Sequence, residues 1–320
     1  MGDSKSRRTL FDMTSTALAQ RFEEHRPHLL AVGYRLTGSV ADAEDAVQES
    51  WIRLSSTGPD SVRDLRGWLT TVVGRICLDR LRSAAVRRES YVGQWLPEPV
   101  VTEPHRGAPD PLDALVGDED ARLAAMVVLD TLSPPQRIAF VLHDGFAVPF
   151  DEIATMLGVS TAAARQYASR GRKAVARAPK PVAAAEHDAA VERVLAALAT
   201  GDVDAVVAAL HPEAIAVGDA GGTTSTAMRP ILGPDKIARF FLGLGRKLGN
   251  DNLRAARPVW VNGALGLYLP GLPRTEKHQA VPVHINGFAV ADGRVIGIYD
   301  FANPAKFAGV RVPGERTPSA

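Results

Sequence analysis

Residues Asp151–Arg177 read DEIATMLGVSTAAARQYASRGRKAVAR, and this stretch decides the fold of the middle of the chain. Ile153 and Leu157 lie four apart and share one face of a first helix, where Ala154 is small enough to admit a close neighbour. Gly158 suits a left-handed helix end, and Ser160 suits the cap of a second helix. In that second helix Ala164, Ala168, Gly171 and Val175 form an inward face. Arg165, Gln166, Ser169 and Lys173 form an outward one, and Arg170, Arg172 and Arg177 add charge with no acid among them. Two helices joined by so short a turn, the second basic, have the shape that enters a DNA major groove. Arg pairs with guanine, Gln with adenine, and Arg and Lys also hold phosphate. A solvated basic helix in an ordinary helical domain stays open as the alternative.

The rest of the chain must explain what such binding would accomplish. Its 320 residues suffice for two or three domains. With 46% hydrophobic and 23% charged residues and a net charge of +1, the basicity is local, not global. Basic and acidic residues balance through Lys180, yet Ala41–Glu49 is acidic while the helix after Ser160 is basic, which suggests two different partners for one segment. Cys77 is the single cysteine, so no internal disulfide forms, and its apolar helical setting predicts a core role. No apolar run is long enough to span a membrane, and the N-terminus lacks the apolar core of a signal peptide, so the expected location is the cytoplasm.

Outward from the opening stretch, Thr14–Ala84 carries three helical patterns. Phe22, Leu29, Leu30, Val32 and Leu36 support one; Val47, Trp51 and Leu54 support a second; Leu69, Val72, Val73 and Ile76 support a third. Residues 85–111, with five prolines, read as a linker, and 112–178 as a second helical domain. From Glu186 the pattern changes. Helices are expected at Asp188–Ala199, Val203–Leu210 and Pro234–Leu248, and strands at Ala214–Val217, Pro258–Val261, Ala264–Leu269, Gln279–Val290 and Arg294–Phe301. Helices against a curved antiparallel sheet make an α+β third domain over 186–304, followed by a tail over 305–320.

The second helix, DAEDAVQESWIRL (Asp42–Leu54), sets Asp45, Gln48, Glu49 and Ile52 outward together, a pattern fit for protein docking. The third, GWLTTVVGRICLDRLRSA (Gly67–Ala84), carries Arg75, Arg80 and Arg82. These two motifs and the helix-turn-helix, in this order and spacing, resemble an extracytoplasmic-function sigma factor of bacterial RNA polymerase. The resemblance covers a little over half the chain, with a sigma-2 domain at 14–84 and a sigma-4 domain at 112–178. It implies promoter-specific initiation with core polymerase. Asp45, Gln48, Glu49 and Ile52 would dock on the β′ clamp, and the β subunit would be a further contact. Arg63, Arg66, Arg75, Arg80 and Arg82 would contact the −10 element, with a flipped base captured near Ser55–Asp64. Arg165, Gln166, Ser169, Arg170, Arg172 and Lys173 would read the −35 element. Many relatives carry Asn at the position of Arg75, so the −10 preference is open.

The third domain resembles the cone-shaped SnoaL-like branch of the fold shared with nuclear transport factor 2 (NTF2). Sigma factors with this fusion carry three group motifs, matched here by Trp95-Leu96-Pro97-Glu98-Pro99, by Asp219-Ala220-Gly221-Gly222-Thr223 without its final Lys, and by Asn303-Pro304-Ala305-Lys306-Phe307. The resemblance implies that Trp95–Pro99, with Asp219, Gly221, Gly222, Asn303 and Pro304, carries regulation between domains, with no separate anti-sigma factor. Contact between Trp95–Pro99 and Asp219–Gly222 or Asn303–Phe307 is expected. A small-molecule ligand of the cone is open. No catalytic residue, metal or cofactor is expected: Asp219, His211, His278, His284, Tyr299 and Asp300 show no spacing that fixes an acid–base pair, and no His/Cys cluster points to a metal. A ligand-sensing helix-turn-helix repressor is the alternative, although it leaves DAEDAVQESWIRL unexplained; an isomerase with a DNA-binding appendage is the third reading.

Overall fold

The computed structural model describes residues 3–57, 62–89, 91, 93–102, 122–222, 226–248, 255–274, 280–307 and 309–310, with backbone alone for 3–15 and 85–89. Three helices open the chain: α1 (Asp3–Thr37), α2 (Val40–Thr57) and α3 (Leu65–Glu89). Gly38, with φ of 71°, ends α1 and turns the chain into α2. α2 buries Val40, Ala43, Ala46, Val47, Ser50 and Leu54 on one stripe. Gly33 lets α2 cross close by, because a Cβ there would lie 2.9 Å from Ala43. α3 runs to Glu89, five residues past the expected edge at Ala84, so the first part of the expected linker is helix.

The second helical domain comprises α4 (Leu123–Leu129), α5 (Pro134–Phe140, continued by a π-helical turn, Val141–Gly145), α6 (Phe150–Leu157) and α7 (Thr161–Val175). Residues 112–121 of its expected span lie outside the described residues. The α6–α7 turn forms as the local chemistry dictates. Gly158 takes φ of 69°, and the Ser160 hydroxyl accepts from the Ala163 amide at 3.2 Å. Gly171 is the contact point of α7 on α5, where a Cβ would meet Phe140 at 2.5 Å.

The third domain packs α8 (Ala184–Thr200), α9 (Val203–Ala209) and α10 (Pro234–Leu248) on one face of a seven-stranded sheet. Its strands are β1 (Val101–Thr102), β2 (Leu210–Asp219), β3 (Ile231–Leu232), β4 (Arg257–Val261), β5 (Ala264–Leu269), β6 (His284–Ala291) and β7 (Arg294–Phe301), in the order β1-β4-β5-β6-β7-β2-β3. The sheet is mixed, not antiparallel throughout as expected, because β2 pairs parallel with β7. No hairpin joins those two strands. The long excursion through α10 and β4–β6 leaves their mutual direction free, whereas the β4-β5-β6-β7 pairs are antiparallel. The strand expected over Gln279–Val290 begins at His284, just past Pro282, which lacks a ladder donor.

Two further departures matter for function. The expected linker supplies β1, the edge strand of the third domain's own sheet, paired with β4 through Val101 and Thr102. The expected tail also joins the sheet, since the Val101 amide donates to the Gly309 carbonyl at 3.0 Å and Val310 bridges Val101. The sheet's outer face is apolar (Val259, Val261, Tyr268, Ile285, Tyr299, Phe301) and is covered by Leu96 and Val101 of the linker and Leu123 of α4. A sheet with two apolar faces needs cover on both. Here the linker and the second helical domain provide it.

Candidate DNA-reading face and interdomain latch

The α7 face expected to read DNA is open. Arg165, Gln166, Arg170, Arg172 and Lys173 are exposed and Ser169 is half-buried, while Ala164, Ala168 and Gly171 are buried beneath them. Two of these cations have protein partners. Arg172 pairs with Asp144 at 2.6 Å, and the Arg165 guanidinium sits 5.7 Å from the Phe150 ring centroid. Gln166, Arg170 and Lys173 are exposed beside them on this face.

On α2, Asp45 and Gln48 are exposed, Glu49 is half-buried, and Ile52 is 65% exposed, an isolated large apolar side chain beside a groove lined by Phe22 and Trp51. Glu49 pairs with Arg53 at 2.5 Å. On α3, Arg66, Arg75 and Arg82 are exposed, as is Arg63 just before it. Arg80 differs from the others: it turns back onto α2, 2.7 Å from Asp42 and 3.3 Å from Asp45. Part of its charge is thus spent inside the domain, and Asp45 is shared between that pair and the outward surface. Residues 58–61 of the expected base-capturing loop lie outside the described residues.

The two helical domains are packed directly on each other. One continuous core holds Leu69, Val73 and Cys77 together with Leu142, Ile153 and Ala168. Burial pushes the Cys77 thiol up to about 12, so it is protonated and inert. Gly74 of α3 permits this contact, since a Cβ there would lie 3.0 Å from Leu142 and 3.1 Å from Met156. At the edge, the Thr71 hydroxyl donates to Glu152 at 3.0 Å. His28 stands at the same junction, edge-on to Phe146. Burial and the charges of Arg66, His25 and Arg35 lower its pKa to about 4. The neutral ring is held by Thr70 at 2.9 Å on Nε2 and by Arg66 at 3.1 Å on Nδ1. Arg137 of α5 is buried, pairs with Asp130, and donates through Nε to the Arg35 carbonyl of α1 at 3.0 Å.

The linker joins all three domains. The Glu98 amide donates to the Gly38 carbonyl at 2.7 Å, and the Glu98 carboxylate accepts from the Val40 amide at 2.7 Å, capping α2. Burial raises the Glu98 pKa, against the amide and hydroxyl donors that lower it. Tyr34 of α1 donates to the Glu98 carbonyl at 2.8 Å and accepts from Asn262 Nδ2 at 2.8 Å. Asn262 sits in the Asn-Gly turn between β4 and β5 and exchanges two bonds with the Val100 backbone, at 2.8 and 3.1 Å. Its φ of 50° is the left-handed conformation that such a hairpin turn requires.

At the centre lies Asp219, the last residue of β2, fully buried. It accepts from the Leu96 amide at 2.8 Å, from Lys306 at 2.5 Å and from the Tyr91 hydroxyl. Lys306, 3% exposed, also donates to the Leu96 carbonyl and stacks 3.5 Å above the Trp95 ring. Asn303 donates to the Tyr91 hydroxyl at 3.0 Å, and Gly221, with φ of 59°, allows close approach of Asn303, where a Cβ would be 2.6 Å from its amide nitrogen. The three motifs singled out in the sequence therefore meet at one carboxylate. Tyr91, Asn262, Tyr34, Arg137 and the charge of Lys306 were not singled out. The Asn-Gly pair at 262–263 was a turn signal that could have pointed to the first hairpin.

The other polar candidates of the third domain separate. Asp300 accepts from His284 Nδ1 and Asn286 Nδ2, both at 2.8 Å, and from Thr226 at 3.0 Å. His211 lies on the far edge beside Asp292 at 3.6 Å, and Tyr299 is buried under the outer sheet face, its hydroxyl pushed up to about 12 by burial. His278 lies outside the described residues. Among the described residues no group of His, Cys, Asp and Glu is arranged to hold a metal, and no helix is long and apolar enough to cross a membrane.

Comparison with known proteins bears on these surfaces. The family described as Sigma-70 region 2 matches residues 21–87, and Sigma-70, region 4 matches residues 122–175. The chain is 54% identical over 292 residues to the ECF RNA polymerase sigma factor SigJ of Mycobacterium tuberculosis, covering 90% of this chain and 92% of that protein. It is 32% identical over 222 residues to the probable ECF RNA polymerase sigma factor SigI of the same species, covering 67% and 72%. Among solved structures, the crystal structure of the M. tuberculosis extracytoplasmic function sigma factor SigJ superposes with a TM-score of 0.78 at 50% identity, covering 91% of this chain and 98% of that chain.

Proposed function

The chain belongs to the extracytoplasmic-function sigma factors and directs promoter-specific initiation by RNA polymerase, and we propose that its linker and SnoaL-like domain regulate that activity by holding the two promoter-reading domains in a closed arrangement. The single observation that carries this reading is the convergence of Trp95–Pro99 on Asp219 and Lys306 while α3 lies against α6. Promoter elements named −10 and −35 lie about 25 base pairs apart, roughly 85 Å of duplex at about 3.4 Å per base pair. Domains in mutual contact do not reach both elements. The α7 face is open in the closed form, so closure misplaces the −35 reader instead of covering it.

In this reading Arg165, Gln166, Ser169, Arg170, Arg172 and Lys173 contact −35 DNA, and Arg63, Arg66, Arg75 and Arg82 contact −10 DNA. Arg80 serves mainly to orient α2. Asp45, Gln48, Glu49 and Ile52 dock on the polymerase clamp, and the exposure of Ile52 supports that role. The functional units are sigma-2 at 14–84, sigma-4 at 112–178, and a third unit that takes in 93–102 as well as 186–310. We read the third unit as regulatory, not catalytic. Because closure is built into the chain, control needs no separate anti-sigma factor. A ligand or partner shifts the closed population only by binding closed and open forms differently.

Spin labels at Asp79→Cys on α3 and Thr155→Cys on α6, both exposed, give the distance that matters. Buried Cys77 escapes labelling. A short distance is expected in the free protein and one of several tens of ångströms in the complex with core polymerase and promoter. An unchanged short distance in a transcribing complex would overturn the reading.

A further inference from the structure

The inner face of the sheet, opposite the latch, holds a cavity that the regulatory reading does not use. Val194 and Leu198 of α8, Phe241 of α10 and Leu267, Phe288 and Ile298 of the sheet make its wall apolar. One end is polar: His284, Asn286 and Asp300 line it together. The β6–β7 register explains the meeting, because Asn286 stands directly opposite Asp300 and both side chains point inward with His284. Two acids, bases or amides set at random in an apolar cone would be costly; here three donors converge on one carboxylate and satisfy it.

We propose that this cavity binds a small, largely apolar molecule carrying one neutral acceptor oxygen, such as a carbonyl, with His284 Nε2–H as its donor. With Nδ1 committed to Asp300, Nε2 is the ring's remaining polar atom. Burial alone would lower the His284 pKa, but the charge and hydrogen bond of Asp300 outweigh it and raise the value, toward the ring form that donates from both nitrogens. In that form the pair carries no net charge, which suits a neutral ligand. An anionic ligand would meet Asp300 beside the ring, and a cation would find both Asp300 oxygens already accepting. The apolar wall supplies affinity and the single donor supplies orientation, the usual division in small-molecule sites.

The test needs neither polymerase nor DNA, so it stands or falls apart from the latch. Acetophenone, ethylbenzene and benzylammonium share a ring and differ in the group offered to His284. Ligand-observed NMR on the full chain should show acetophenone binding about tenfold more tightly than ethylbenzene, the worth of one good hydrogen bond, and benzylammonium not binding. The His284 ring signals should move on adding acetophenone and stay put with benzylammonium. In His284→Phe the preference for acetophenone over ethylbenzene should vanish, and His284→Gln, which keeps a donor, should restore part of it. No binding of either neutral probe, equal binding of both, or a preference that survives His284→Phe would each overturn the proposal. If His284→Phe fails to fold, the ring-signal shift and His284→Gln decide the matter.

Discussion

Replacing Asp219 with Ala is expected to cost about 3–5 kcal/mol, the usual penalty for breaking a buried ion pair by removing one member. The charge left behind is Lys306, 3% exposed, with the Leu96 carbonyl and the Trp95 and Tyr91 rings among its remaining contacts. The Leu96 amide and the Tyr91 hydroxyl lose their acceptor as well. Adding Lys306→Met to Asp219→Ala should recover most of the loss, because removing both charges also removes the desolvation cost. Trp95→Ala combined with Asp219→Ala should be markedly non-additive, since both act on Lys306. Denaturant unfolding gives the free energies, and hydrogen exchange at the Leu96 amide reports the latch itself. Additive effects, or a Leu96 amide as protected as in the wild type, would show that the linker is held by something else.

Arg137→Met carries the second large effect, again about 3–5 kcal/mol, since it breaks a largely desolvated ion pair and takes its guanidinium away from the Asp130 carboxylate, whose side chain is 7% exposed. Arg137 is 1% exposed and spans the domain boundary: its guanidinium pairs with Asp130 at the end of α4, and its Nε holds the Arg35 carbonyl at the end of α1. Gly38 packs against both members of the pair and against Pro97 of the linker, with a built Cβ 3.3–3.4 Å from all three, so the loss should spread to the linker turn. The expected result is a lowered melting temperature together with a longer Asp79–Thr155 label distance in the free protein. Asp130→Asn, which keeps an acceptor for the guanidinium, should cost less. A change within about 0.5 kcal/mol for Arg137→Met, the range of an ordinary surface substitution, would show that the pair does not hold the domains together.

What was legible in the chain was local. Gly158 and Ser160 announce the helix-turn-helix because a left-handed end and a cap are chemistry of one or two residues. α2 was legible because its apolar stripe repeats at helical spacing over three turns. β1 was not, since a two-residue strand has no period and was hidden among prolines. The parallel pairing of β2 with β7 was invisible for a different reason: direction is fixed by a long connection, not by either strand's own residues. The motifs at Trp95–Pro99, Asp219–Gly222 and Asn303–Phe307 suggested a meeting, yet the chemistry of it rests on Lys306 and Tyr91, two residues whose partners are more than eighty positions away. His284 and Asp300, sixteen apart, share no motif; only the hairpin register sets them together. Arg137 belongs to no sequence motif, and its burial follows from packing between domains.

If contact between α3 and α6 excludes promoter reading, fixing that contact silences the protein. Thr71 and Glu152 touch across that contact, so Thr71→Cys and Glu152→Cys can be bridged with a short bis-maleimide while the buried, protonated Cys77 stays unmodified. Run-off transcription with core polymerase measures the outcome, with the same double variant capped by a simple maleimide as its control. The bridged protein should be inactive and the capped protein active. Full run-off activity from the bridged protein would contradict that exclusion.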